Sequence, residues 1–100
     1  MIARIWRGRA TPQNAPAYVK HFTETVVPAL EALPGHRSAS LMQREVDGQV
    51  ELVALTLWDS RASIEAFAGD DISRAHVEPQ ARAVLASFDD FVDHYEVAYS

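Results

Sequence analysis

Four histidines, His21, His36, His76 and His94, and one arginine, Arg4, are the residues of this chain that could do chemistry. No two of the histidines stand at the i, i+4 or HExxH spacing that presents a metal on one helical face, so no dedicated metal site is expected. His76 is the most suggestive. Its neighbours Ile72 and Ala75 would place it on a buried helical stripe, and an imidazole in an apolar pocket suits proton transfer near neutral pH. The plainer role for it is a core or capping histidine bonded to backbone. His94 alternates with Asp93 and Tyr95, so His94 and Tyr95 face opposite sides of a strand, one towards the helices and one away.

Arg4 shares strand parity with Trp6. If that parity faces inward, Arg4 is a buried cation suited to an anionic or enolate oxygen; if outward, it is an ordinary surface residue. Trp6, Trp58 and Phe67, with Tyr18 and Phe22 on a helix, supply flat aromatic surface that could line a pocket for a ring-shaped ligand or simply fill a core. No Ser-His-Asp or lysine nucleophile arrangement stands out, and the four glycines are too dispersed for a phosphate cradle. No flavin or nicotinamide motif is present. An oxygenase built this way would use a substrate that activates oxygen itself, such as an electron-rich phenol or quinol, with the protein supplying a base and an oxyanion partner.

The elements that position these residues follow from hydrophobic pattern. Ile2 to Arg9 reads as a strand. Asn14 is a candidate N-cap, Pro16 fits a first turn, and Tyr18, Phe22, Val26, Ala29, Leu30 and Leu33 recur at helical spacing, with Pro28 expected to kink or break the helix and Pro34-Gly35 to end it. His36 to Val46 and Val50 to Trp58 read as two strands joined by Asp47-Gly48, a strong hairpin signal. Asp59-Ser60 caps a helix carrying Ile64, Phe67 and Ala68 and stopped by Gly69. A further helical piece is expected around Ile72, Ala75 and His76, restarted at Pro79 and continued by Ala81, Val84, Leu85 and Phe88, before a last strand from Phe91 to Tyr99.

The order strand, helix, strand, strand, helix, strand is the ferredoxin-like split βαβ arrangement, a βαββαβ α+β fold with a four-stranded antiparallel sheet, over one domain spanning residues 1–100. The Val50 to Trp58 strand is apolar at both parities: Leu52, Ala54 and Trp58 on one side, Val53, Leu55 and Leu57 on the other. Helices cover one face only, so a second copy is expected on the other, as a homodimer.

Composition removes other classes. There is no cysteine, which excludes disulfides, iron-sulfur clusters and thiolate zinc sites, and the formal charge of −5 offers no basic face for nucleic acid. No apolar run approaches the ~20 residues of a membrane span and the N-terminus lacks a signal-peptide pattern, so a cytoplasmic protein that meets neither membrane nor nucleic acid is expected.

The order of elements, together with Leu55-Thr56-Leu57-Trp58-Asp59-Ser60, the Ile64-Glu65-Ala66-Phe67 helix and the Arg74-Ala75-His76 segment, resembles the antibiotic biosynthesis monooxygenase family of dimeric α+β barrels. The resemblance implies a homodimeric oxidoreductase that acts without flavin or metal on an aromatic or polyketide-type molecule between helices and sheet. From the residues themselves, His76 is the expected catalytic residue, with Trp6, Arg4, Phe22, Trp58, Phe67, Tyr95 and His94 expected around the substrate. Isomerase or cyclase chemistry in the same pocket, or a non-catalytic small-ligand or stress-related dimer, are the alternatives. In the haem-degrading branch the iron-binding histidine would fall near His76. That branch carries tryptophan where this chain has Phe67 and asparagine where it has Trp6. Haem degradation is therefore disfavoured and no cofactor is expected, while haem binding stays open.

Overall fold

The computed structural model describes residues 1–100. In chain order the elements are β1 (Ile2–Ala10), α1 (Ala15–His21), a π-helical turn (Phe22–Val26), α2 (Val27–Glu31), β2 (His36–Val46), β3 (Gln49–Trp58), α3 (Arg61–Ala68), α4 (Pro79–Val84), β4 (Ser87–Phe88) and β5 (Asp93–Glu96). The strands form one antiparallel sheet in the order β2-β3-β1, with β4 and β5 pairing successively along the free edge of β1. This is the ferredoxin-like α+β arrangement, its last strand delivered in two pieces.

The hairpin between β2 and β3 turns on Asp47 and Gly48, both at positive φ (52° and 78°), the pairing that a two-residue turn matched to strand twist requires. β1 lies antiparallel to β3 in a register that sets Ile2 opposite Trp58, Arg4 opposite Thr56, Trp6 opposite Ala54 and Gly8 opposite Leu52. Side chains alternate across a sheet. These residues therefore share one face, and it is the face the helices cover, because Ile2, Arg4, Trp6, Leu52, Thr56 and Trp58 are all buried. The opposite face carries Ala3, Ile5, Val53, Leu55 and Leu57, and no element of the chain packs over it.

Two apolar clusters lie under the helices. One gathers Trp6, Ala10, Tyr18, Phe22 and Leu52; the other gathers Ile2, Leu30, Trp58 and Ile64. Each fully buried side chain of this kind contributes roughly 1.5–3 kcal/mol relative to exposure.

Several local expectations are corrected. Asn14 precedes α1, but its side chain makes no capping bond; the turn is closed instead by Asn14 N–H and Ala15 N–H donating to the Thr11 carbonyl. Pro28 does not end the helix. The chain widens into the π turn just before it, where Val27 N–H reaches back to the Phe22 carbonyl, so helical structure carries on through the proline to Glu31.

The segment expected to be helical around Ile72, Ala75 and His76 is an irregular strap over residues 69–78. Its hydrogen bonds go elsewhere: Ser73 N–H donates to the Asp71 carboxylate, Ala75 N–H to the Asp90 carbonyl, and Val92 N–H to the Ser73 carbonyl. Pairing with the chain near Phe91 has outcompeted the helix. α4 ends at Val84, and Phe88 belongs to β4 rather than to a continued helical stripe. The last strand is shorter than Phe91 to Tyr99, although Val97 N–H still donates to the Met1 carbonyl.

Candidate functional site

Between the two clusters the helices stand away from the sheet, leaving a slot. Its floor is Arg4 and Trp6 of β1 with Ala54 and Thr56 of β3; its helical wall is Tyr18, His21, Phe22, Val26 and Leu30; Phe67 of α3 stands opposite, and His76, Val77 and Glu78 of the strap form the lip. The π turn explains the helical wall. In a continuous α-helix, residues four apart drift by about 40° each step, or about 120° from Tyr18 to Leu30. The wider turn at Phe22–Val26 offsets much of this drift and keeps Tyr18, Phe22, Val26 and Leu30 on the pocket side. The slot encloses about 600 Å³ out to its open mouth, yet only about 60 Å³ is clear at the scale of a water molecule. Its lining is mostly apolar and aromatic, the chemistry that receives a ring.

Arg4 dominates the electrostatics. It is 5% exposed and has no carboxylate partner, since every ion pair of the chain involves other arginines. Its Nη1 donates to the Ile72 carbonyl and to His94 Nε2 (3.0 Å), and its Nη2 to the Arg74 carbonyl (3.0 Å). The guanidinium lies 5.9 Å from the Phe67 ring centroid, within cation–π range. Of five N–H donors, three are used; Nε–H and one Nη2 N–H remain. Burial lowers the Arg4 pKa to about 10, so the group stays charged at neutral pH while lacking a full counter-charge. An anion entering the slot would supply it.

His94 stands behind Arg4. Burial first, then the charges of Arg4 and Arg61, hold its pKa below the usual histidine value. It is thus the neutral acceptor of the Arg4 N–H, the tautomer being fixed by that bond. Trp6 is pinned by Nε1–H donating to the Asp89 carbonyl (2.9 Å), and its ring lies directly over Gly8, where a Cβ would come within 2.7 Å of Cη2. Tyr18 packs at 5.7 Å from the Trp6 ring and 6.5 Å from Phe22. Phe67 meets the His76 imidazole edge-on at 5.2 Å.

Of the residues singled out in the sequence, Arg4, Trp6, Phe22, Phe67 and His76 line the slot, and His94 touches it through Arg4. His76 is exposed at the lip instead of buried on a stripe, because the strap is not helical. Trp58 does not reach the slot. It is 0% exposed, its Nε1–H donates to Thr56 Oγ1 (2.9 Å), and it serves the second apolar cluster. Tyr95 is 56% exposed on the face away from the helices, since β5 pairs it with Ala3.

Tyr18, one of the aromatics expected to line a pocket or fill a core, lines the slot, as do Thr56, His21 and Glu78, which were not assigned to it. Tyr18 was legible, four residues before Phe22 on one stripe. Thr56 shares parity with Ala54 and Trp58. Nothing in the sequence marks Glu78.

A profile describing antibiotic biosynthesis monooxygenases matches residues 1–79. No curated protein matches the chain. Among solved structures, a proposed antibiotic biosynthesis monooxygenase from Bacillus cereus superposes with a TM-score of 0.69 at 18% identity, covering 100% of this chain and 94% of its own. A haem-degrading protein from Mycobacterium tuberculosis, solved with two haems in its active site, superposes at 0.65 with 22% identity over 100% of this chain and 98% of its own. A second M. tuberculosis protein gives 0.64 at 20% identity, covering 99% and 96%. At these identities the structural matches establish the fold.

Proposed function

This chain belongs to the antibiotic biosynthesis monooxygenase family, and on that premise we propose that it is a small-molecule monooxygenase acting without flavin or metal on a flat aromatic or polyketide-type substrate. One observation carries the reading: Arg4, a buried cation with no carboxylate partner, stands in the floor of an aromatic-walled slot. A phenol or enol that ionises there gains the charge partner the protein withholds, and its anion is the electron-rich form that reduces dioxygen directly. For an anthrone-like substrate, a methylene between two aryl rings becomes a carbonyl and the second oxygen atom leaves as water. His76, at the lip and open to solvent, is positioned to accept the substrate proton and release it to water.

Oxygen uptake across a panel of quinols and anthrones tests this. Turnover by the wild type with a loss of about 10²-fold in His76→Ala supports it; no uptake by either protein on any substrate refutes it. Product formed without oxygen would point to isomerase or cyclase chemistry.

Haem is the competing occupant, since His76 is exposed at the lip. The slot as it stands has little clear space for a porphyrin, and we assign haem no step. A Soret shift on titration, lost in His76→Ala, would reverse that preference.

The uncovered sheet face supports a homodimer. Ala3, Ile5, Val53, Leu55 and Leu57 form its apolar centre, with the Arg7–Asp93 and Arg44–Glu51 ion pairs along one end. An apolar core with a charged rim suits an isologous contact.

A further inference from the structure

Tyr18 has an anomaly that packing does not explain. It is 5% exposed and its ring is wedged beside Trp6 and Phe22, but its hydroxyl makes no hydrogen bond to the protein. Buried tyrosines normally find a partner for that group. The one buried side-chain polar atom sealed off without a partner is His36 Nε2, so the Tyr18 hydroxyl is unpaired yet not sealed. Tyr18 is one of the residues that wall the slot. Arg4 Nε likewise makes no hydrogen bond to the protein and is not sealed off, and Arg4 lies in the floor of the same slot. Two residues with an unpaired donor thus line one space.

We propose that Tyr18 is a ligand-contacting, specificity-determining residue that donates a hydrogen bond to a second, neutral oxygen of a flat aromatic ligand whose acidic oxygen rests on Arg4. The inference deepens the reading of the slot as a ligand pocket. Burial, and then the nearby charge of Glu78, raise the Tyr18 pKa, so the hydroxyl keeps its proton and acts as a donor. Glu78 lines the slot and joins no ion pair, which sets a negative charge at Tyr18's end of the pocket and a positive one at Arg4. A second anionic group would be repelled at that end, whereas a hydroxyl or carbonyl oxygen would be accepted. The ligand class is therefore an aromatic acid or phenolate carrying one further neutral oxygen.

Three probes sharing one ring system separate these terms: naphthoate, a hydroxynaphthoate with its hydroxyl on the far ring, and naphthalene dicarboxylate. Binding is read by calorimetry or by quenching of tryptophan fluorescence, neither of which needs turnover. The wild type should bind hydroxynaphthoate about three- to tenfold more tightly than naphthoate, the worth of one neutral hydrogen bond, and bind the dicarboxylate more weakly than either. In Tyr18→Phe the two monoacids should bind alike, and Arg4→Met should lose all three. Equal binding of the monoacids by the wild type, or a hydroxyl preference that survives in Tyr18→Phe, overturns the assignment. So does a dicarboxylate that binds as tightly as hydroxynaphthoate, an arm that needs no variant. If none of the probes binds, the ligand pocket itself falls; if they bind as described but oxygen uptake fails, the monooxygenase reading falls and the role of Tyr18 stands.

Discussion

Substituting Gly8 by alanine should destabilise the protein because of one neighbour, the Trp6 indole. Gly8 lies in β1 on the same face as Trp6, and an added Cβ would sit 2.7 Å from Cη2 and 3.3 Å from both Cζ2 and Cζ3. Ordinary contact begins near 3.4 Å, so the ring must move by about 0.7 Å. It has little room: Nε1 is tied to the Asp89 carbonyl at 2.9 Å and Tyr18 stands against the ring at 5.7 Å between centroids. Overpacking of this kind costs about 1–3 kcal/mol. Removing a glycine from a strand returns about 0.5–1 kcal/mol of backbone entropy. The net expectation is a loss of about 1 kcal/mol, or roughly 4–8 °C in Tm for a domain of this size.

The decisive measurement is the sign of the same change in a second background. With Trp6→Leu the indole is gone, and Gly8→Ala should become neutral or stabilising by about 0.5 kcal/mol. Urea unfolding followed by far-UV circular dichroism, at one protein concentration for all four proteins, gives the coupling. An equal loss in both backgrounds would refute the argument, since the cost would then belong to the backbone.

Two further predictions concern charge. His94 has a pKa held below 6.5, so the folded state binds fewer protons than the unfolded chain; stability should fall as pH drops from about 6.5 through the lowered value, then level off. His94→Asn should flatten that slope, measured by urea midpoints at a series of pH values, and an unaltered slope would remove His94 as its source. On the open sheet face, Leu55→Glu places a carboxylate among Ile5, Val53 and Leu57. In a two-fold interface the charge enters twice, at least about 3 kcal/mol or roughly a hundredfold in Kd; sedimentation should show wild-type dimers and variant monomers, and a folded wild-type monomer at micromolar concentration would sink the dimer.

The sheet was legible because its signals are local. Asp47-Gly48 names its own turn, and β3 could hardly be anything but a strand. The slot was legible in part, through Trp6, Phe22 and Phe67. Whether Arg4 pointed inward was not, because parity says which residues share a face and not which face the helices choose; burial of Trp6 and Leu52 settles it. His76 was misplaced for a related reason. Ile72, Ala75 and His76 fit a helical spacing, but the Asp71–Ser73 turn and the bridge from Arg74 to Phe91 hold that stretch open, and Phe91 lies outside any local sequence window. Proline at 28 was read as a breaker because the extra residue absorbed upstream leaves no mark in hydrophobic pattern.

That extra residue has an evolutionary consequence. A chain shortened by one codon within 22–26 would wind as a regular α-helix with eleven steps of about 100° from Tyr18 to Leu30 in place of twelve, so Val26 and Leu30 would still face the slot. The wall therefore tolerates loss of that residue in a related chain, whereas α winding regained at full length would turn Val26 and Leu30 about 100° away from Tyr18.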